Sequence, residues 1–264
     1  MSRSAEPDGS ATSRPAGPDE SALSRSAGPD ESALSRSAGS DQSALSRSAG
    51  SDGSAAWLLD RVRALARGGG RVLIGIAGCP GAGKSTLAGW LAGALTDAGL
   101  PAVWVPMDGY HLADVELERL GRRGRKGAVD TFDGHGYLAL LRRLRAETGD
   151  VVYAPSFDRE IEQPIAGAIP VPPRARVVVS EGNYLLLPGE PWRRVKEAMT
   201  EVWYADLDDR IRLERLTTRH VRFGKTPDEA VRWVAEVDEP NAAAIRATRD
   251  AADLLVDFDR LGIS

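Results

Sequence analysis

From residue 57 onward, two apolar periods alternate along the chain. One recurs every three to four positions and marks helices; the other runs as short, nearly continuous stretches rich in β-branched residues and marks buried strands. Leu58, Val62 and Leu65 share one helical face within residues 57–66, and Gly68, Gly69 and Gly70 end that helix. Val72–Ala77 reads as a strand, 84–98 as a helix, 102–107 as a second strand and 137–147 as another helix. Residues 151–153 and 165–171 read as strands around a polar turn, an inserted hairpin. Strands follow at 176–180, 201–206 and 253–258, with helices at 208–222, 227–237 and 241–250. This alternation predicts an α/β fold: a five-stranded, mainly parallel, doubly wound sheet with helices on both faces. One stretch does not fit either period. Between Gly121 and Gly127 lie Arg122, Arg123, Arg125 and Lys126, a glycine-spaced basic loop that cannot pack as core.

Ahead of this domain, residues 1–56 hold five tandem copies of an 11-residue unit whose large apolar side chains are only Leu23, Leu34 and Leu45. Such a segment cannot bury a core and reads as a disordered tail, either a tether or a bare repeat expansion. The folded domain is expected over 57–264. Composition narrows the function classes further. With 42% hydrophobic and 27% charged residues and a net charge of −4, the chain has an ordinary core and no basic excess for a nucleic-acid partner. No apolar run nears the roughly 20 residues of a membrane span, and the first residues lack the apolar core of a secretory signal, so a cytoplasmic protein is expected. The single cysteine, Cys79, excludes a disulfide framework, and His111, His135 and His220 lack metal-ligand spacing. A homodimer is the default assembly for such a domain.

The chemistry begins at Gly78-Cys79-Pro80-Gly81-Ala82-Gly83-Lys84-Ser85, followed by Thr86. This fits the Walker A pattern at every fixed position and stands between a predicted strand and a predicted helix, the context the motif requires. Its glycines let backbone N–H groups turn inward around phosphate oxygens, and the helix N-terminus adds a favourable dipole. Lys84 is expected to reach the β- and γ-phosphates, and Ser85 to ligate Mg²⁺. Cys79 sits at a variable position of the loop and needs no chemistry of its own. The cofactors expected are therefore ATP and Mg²⁺.

Two carboxylates stand at the C-terminal ends of predicted strands, where an open α/β sheet binds its ligands. Asp108 is the expected catalytic base for a substrate hydroxyl. Glu181 closes the apolar run 177–179 and is expected to organise the metal. Guanine-reading and transport-ATPase signatures are both missing from the sequence. Arg215, Arg219 and Arg222 recur at helical spacing and are expected to close over the nucleotide, with Arg219 nearest the transferring phosphoryl. These features favour a kinase acting on a small-molecule hydroxyl. A nucleotide-dependent switch or regulatory ATP-binding protein would use the same loop without a small acceptor.

The segments Met-Asp-Gly-Tyr-His at 107–111, Asp-Thr-Phe-Asp at 130–133, Ala-Pro-Ser-Phe-Asp-Arg at 154–159 and Glu-Gly-Asn-Tyr at 181–184 complete a recognisable set. Over residues 58–258 the chain resembles the uridine kinase, phosphoribulokinase and type I pantothenate kinase superfamily, and within it bacterial proteins of the nucleoside/nucleotide kinase family. The resemblance implies a kinase fold with a mobile lid and an acceptor that is a nucleoside, sugar or pantothenate-like metabolite. It implies acceptor contacts from the hairpin, the basic loop and neighbouring segments, here Tyr110, His111, Arg125, Lys126, Asp133, Asp158, Arg159 and Asn183. Uridine kinases carry a Tyr-Asp-Phe segment at the substrate; in this chain the aspartate follows Phe157 and Arg159 comes next.

Overall fold

A computed structural model describes residues 55–263; the repeats, apart from Ala55 and Ala56, lie outside the described residues. Helix α1 (Ala56–Ala66) starts on the last residue of the fifth repeat and buries Leu58 and Val62. Strand β1 (Val72–Ala77) leads through the glycine loop into α2 (Lys84–Asp97), and β2 (Ala102–Pro106) follows. Next come the short α3 (Asp114–Arg119) and α4 (Gly134–Ala146), then the hairpin of β3 (Val152–Asp158) and β4 (Gln163–Val171). The chain re-enters the sheet at β5 (Val177–Glu181), passes α5 (Trp192–Ala198) and forms β6 (Glu201–Asp206). Helices α6 (Asp209–Arg222), α7 (Pro227–Trp233) and α8 (Glu239–Arg246) precede the last strand, β7 (Leu254–Asp257).

The main sheet is parallel throughout, in the order β2-β5-β1-β6-β7. β1 runs beside β5, with Val72 opposite Val177 and Ile76 opposite Glu181. The chain leaves β1 toward one edge and later crosses back to the other, which opens a crevice at the carboxyl ends of the central strands. Alternation along the strands divides the core between the faces. Val72, Ile74, Ile76, Val177 and Val179 pack with α1 and α2, whereas Leu73 and Val178 pack with α4 and α5. Each such fully buried aliphatic side chain contributes about 1.5–3 kcal/mol, so these strand ends are held firmly beneath the crevice.

Several elements differ from the expected pattern. Asp108 lies two residues past β2, in a 3₁₀ turn over Met107–Tyr110, because Pro106 ends the strand. α3 and α5 were not expected; both are too short for their periodicity to stand out. The expected helix at 227–237 stops at Trp233 and opens into a π-helical turn over Val234–Asp238. No helix among the described residues is long and apolar enough to cross a membrane.

Candidate active site

The glycine loop is shaped by backbone that other residues resist. Gly78, Gly81 and Gly83 have φ of 150°, 84° and 83°. A Cβ on Gly81 would stand 2.8 Å from the carbonyl oxygen of Arg212, and one on Gly83 would stand 2.8 Å from the Phe258 ring. The loop is thus fitted between α6 and the end of β7. Arg212, almost wholly buried, holds the parts together: it pairs with Asp209 at 2.7 Å and Glu239 at 2.5 Å and donates to the Pro80 carbonyl at 3.2 Å. The Cys79 thiol points away from the phosphate side, at 3.4 Å from the Tyr204 hydroxyl.

Lys84 opens α2, and its Nζ donates to the Cys79 carbonyl at 2.9 Å. Burial pulls its pKa below the ordinary lysine value, against the attraction of Glu181 and Asp108. Ser85 Oγ donates to Glu181 Oε1 at 3.1 Å. Glu181 is fixed by the strand it ends: the preceding Ser180 Oγ accepts from Tyr137 Oη at 2.6 Å and donates to Val105 O at 2.5 Å, tying β5 to α4 and β2. Burial, and then the nearby negative charge of Asp108, push the Glu181 carboxyl up to about 7. Lys84, Ser85 and Arg159 offset only part of that rise.

Asp108 is oriented from the hairpin. Arg159 Nη2, just past β3, donates to Asp108 Oδ2 at 2.9 Å. His111 Nδ1 lies 2.8 Å from the Asp108 carbonyl oxygen, and burial holds the imidazole below its usual pKa. Its ring packs, tilted, against Phe132 at 4.0 Å and Phe157 at 4.7 Å. Arg219 projects from α6 into the same space, and burial followed by the neighbouring Arg159 lowers its pKa.

These groups surround one cleft of about 710 Å³. Of the residues expected from sequence, the cleft brings together Pro80, Gly81, Gly83, Lys84, Ser85, Thr86, Asp108, His111, Lys126, Arg159, Glu181, Asn183, Arg215 and Arg219. Five others have different work. Tyr110 packs on Tyr137, 5.4 Å between rings, and Arg125 pairs with Asp130 at 2.5 Å. Asp133 caps α4 through Gly136 N, and Asp158 accepts from Glu160 N and Ile161 N to form the hairpin turn. Arg222 is exposed on α6, between cleft-lining residues but not among them. Aspartates at such positions satisfy loose backbone donors, and that local role explains their spacing. Phe132, Phe157, Trp233, Asp238 and Phe258 also line the cleft. Their sequence signal was slight, since aromatic residues at helix ends and after strands read equally well as packing; Arg215 lies 5.6 Å over the Phe258 ring.

A parallel sheet with a glycine loop after its central strand, and two carboxylates at adjacent strand ends, is the frame of a nucleotide-dependent kinase. No family model matches the chain. Over 212 residues, 77% of this chain and 90% of the relative, it is 34% identical to a Schizosaccharomyces pombe protein provisionally named uridine kinase C227.14. The chain belongs to the uridine kinase-like family of P-loop kinases. A solved structure from Silicibacter sp. TM1040, provisionally named a fructose transport system kinase, is 40% identical, with a TM-score of 0.66 over 74% of this chain and 98% of its own. The fold alone is shared with the D-glycerate 3-kinase of Cryptococcus neoformans, 14% identical with a TM-score of 0.59 over 78% of this chain and 93% of that one. In this chain the loop, Glu181 and Asp108 line one cleft.

Proposed function

We propose that this family member is an ATP- and Mg²⁺-dependent kinase that transfers the γ-phosphate to a hydroxyl of a small molecule: a nucleoside, a sugar or a pantothenate-like metabolite. The observation that carries this reading is Asp108, which faces Lys84 across the cleft while Arg159 of the hairpin holds its carboxylate at 2.9 Å. A nucleotide switch needs one carboxylate beside the phosphate loop for its metal; a second, buttressed by a hairpin built over the cleft, suits an acceptor hydroxyl.

In this reading the loop amides and Lys84 grip the phosphates, Lys84 leaving the Cys79 carbonyl to do so. Ser85 and Glu181 fit Mg²⁺: their oxygens stand 3.1 Å apart, and they are the hard donors this ion prefers. When bound, the ion neutralises charge on the phosphate oxygens. Asp108 accepts the proton of the acceptor hydroxyl as the oxygen attacks phosphorus. Arg219, poised on α6, stabilises charge on the transferring group. His111, kept neutral by burial, fixes the turn that carries Asp108 through its bond to the Asp108 carbonyl.

The test is ADP release measured with and without candidate acceptors. A kinase releases ADP at a rate that one acceptor class stimulates; a switch binds ATP with no acceptor dependence. Asp108→Asn is expected to keep ATP affinity and lose roughly 10²–10⁴-fold in transfer. Near-normal turnover in that variant would falsify the base assignment.

A further inference from the structure

A kinase that holds ATP before its acceptor arrives faces a competing nucleophile. Water beside the γ-phosphate needs the same proton acceptor as a substrate hydroxyl, and hydrolysis is the side reaction an open site invites. The Asp108 side chain is 22% exposed, so solvent reaches the cleft beside it. What occupies that carboxylate decides whether water can use it.

The two Asp108 oxygens have different neighbours. Oδ1 stands 4.0 Å from His111 Nδ1, whereas Oδ2 accepts from Arg159 Nη2 at 2.9 Å. Arg159 itself lines the cleft, so the pair is made on the cleft side of Asp108. The arginine is not needed to place the turn. His111 donates its backbone N–H to the Asp108 carbonyl at 3.1 Å, and Leu112 N and Asp133 N bond Thr131 O and Tyr110 O at 2.9 and 2.8 Å. The ion pair is thus added to a turn already fixed, and it fills an oxygen that proton transfer would use.

Arg159 is also free to leave. It is the first residue of the hairpin turn, just beyond the last paired residues, Asp158 and Gln163, and its side chain is 39% exposed. Its guanidinium lies 5.7 Å from the centre of the Phe157 ring, a seat whose attraction for a cation does not depend on Asp108. Lys84 and Arg219 stand ready for phosphate without it, and Arg219 repels it. We infer that Arg159 makes the site choose its acceptor over water. While ATP waits alone, the guanidinium stays on Asp108 Oδ2; an acceptor entering beneath the hairpin displaces it and presents its hydroxyl to the freed oxygen. The proton then passes to Asp108 as the acceptor oxygen bonds phosphorus and ADP leaves. Without Arg159 the same step takes water, giving ADP, inorganic phosphate and a proton. This rests on the kinase reading above.

Release of inorganic phosphate from ATP and Mg²⁺, with no acceptor, is measured for the wild type, Arg159→Ala, Arg159→Gln, Arg159→Lys and the double variant Arg159→Ala/Asp108→Asn. Arg159→Ala is expected to raise this hydrolysis roughly tenfold or more, the scale of a hydrogen bond between charged groups, with the KM for ATP little changed. Arg159→Gln follows it, Arg159→Lys stays nearer the wild type, and the double variant falls back to the wild-type rate or below. A merely structural arginine would lower hydrolysis when removed. Hydrolysis unchanged or reduced in both Arg159→Ala and Arg159→Gln overturns the inference, as does a raised rate that persists in the double variant. Thermal melting identifies folded variants; if Arg159→Ala unfolds, Arg159→Gln and its own double variant with Asp108→Asn decide. The kinase reading is read separately, from transfer of γ-label by the wild type to D-ribose, uridine, D-glycerate or pantothenate. Transfer without the Arg159 effect overturns only the present inference, and no transfer to any of them overturns both.

Discussion

Glu181 concentrates the electrostatics of the cleft in one side chain. Its carboxyl titrates near 7 because burial and Asp108 oppose its ionisation, while a carboxylate in the unfolded chain titrates near 4.5. A group whose folded pKa is raised contributes stability that is fully present below the unfolded value and is lost as pH rises through the folded value. Without ligand, the uncharged variant Glu181→Gln is therefore expected to be the more stable protein at pH 8, by on the order of 2 kcal/mol, with the gap closing toward pH 5. With ATP and Mg²⁺ present at pH 8 the order reverses, since only the carboxylate rewards the cation. Thermal unfolding of both proteins across this pH range checks it; a gap independent of pH contradicts the charge argument. Lys84 carries the complementary burden, a buried ammonium drawn to both carboxylates.

At the scale of elements, the glycine loop is the least tolerant part of the chain. Gly83→Ala places a side chain at φ 83° and drives it into the Phe258 ring. A residue other than glycine in that backbone region costs roughly 1–2 kcal/mol before any clash, so the melting midpoint is expected to fall by several degrees and ATP affinity to be lost. Unchanged ATP binding in Gly83→Ala contradicts the fit of the loop against β7. The strands and the loop were legible in the sequence because both rest on local signals: continuous β-branched runs such as 177–179, and a fixed glycine spacing. The π turn was not. Helical periodicity through 227–237 is sound up to Trp233, and only Pro240, placed beyond it, forces the widening. Asp133 and Asp158 misled for the same physical reason that makes aspartate common at loops: their carboxylates serve backbone N–H groups at Gly136, Glu160 and Ile161. Nothing in one sequence separates a capping aspartate from a substrate-facing one. Arg159 was legible as part of a motif, but its partner Asp108, 51 residues away, is brought to it only by the hairpin folding back over the 3₁₀ turn.

Across the whole molecule, the sheet order brings distant segments to one crevice: the end of β1 supplies the phosphate loop, the end of β5 supplies Glu181, and the turn after β2 supplies Asp108. Both core clusters are closed by residues between Ala55 and Leu261, with Ile263 packed against one of them. Deletion of residues 2–54 is accordingly expected to leave the melting midpoint and the KM for ATP unchanged; a fall in either assigns the repeats a part in the domain. The central claim is phosphoryl transfer to a small hydroxyl with Asp108 as base. Its most direct test follows γ-labelled ATP with the acceptor that best stimulates ADP release, in the wild type and in Asp108→Asn. The account predicts label on the acceptor in equal amount to ADP for the wild type, and intact ATP binding with label transfer reduced by orders of magnitude for Asp108→Asn. ADP release with no label on any acceptor, or full transfer by Asp108→Asn, contradicts it.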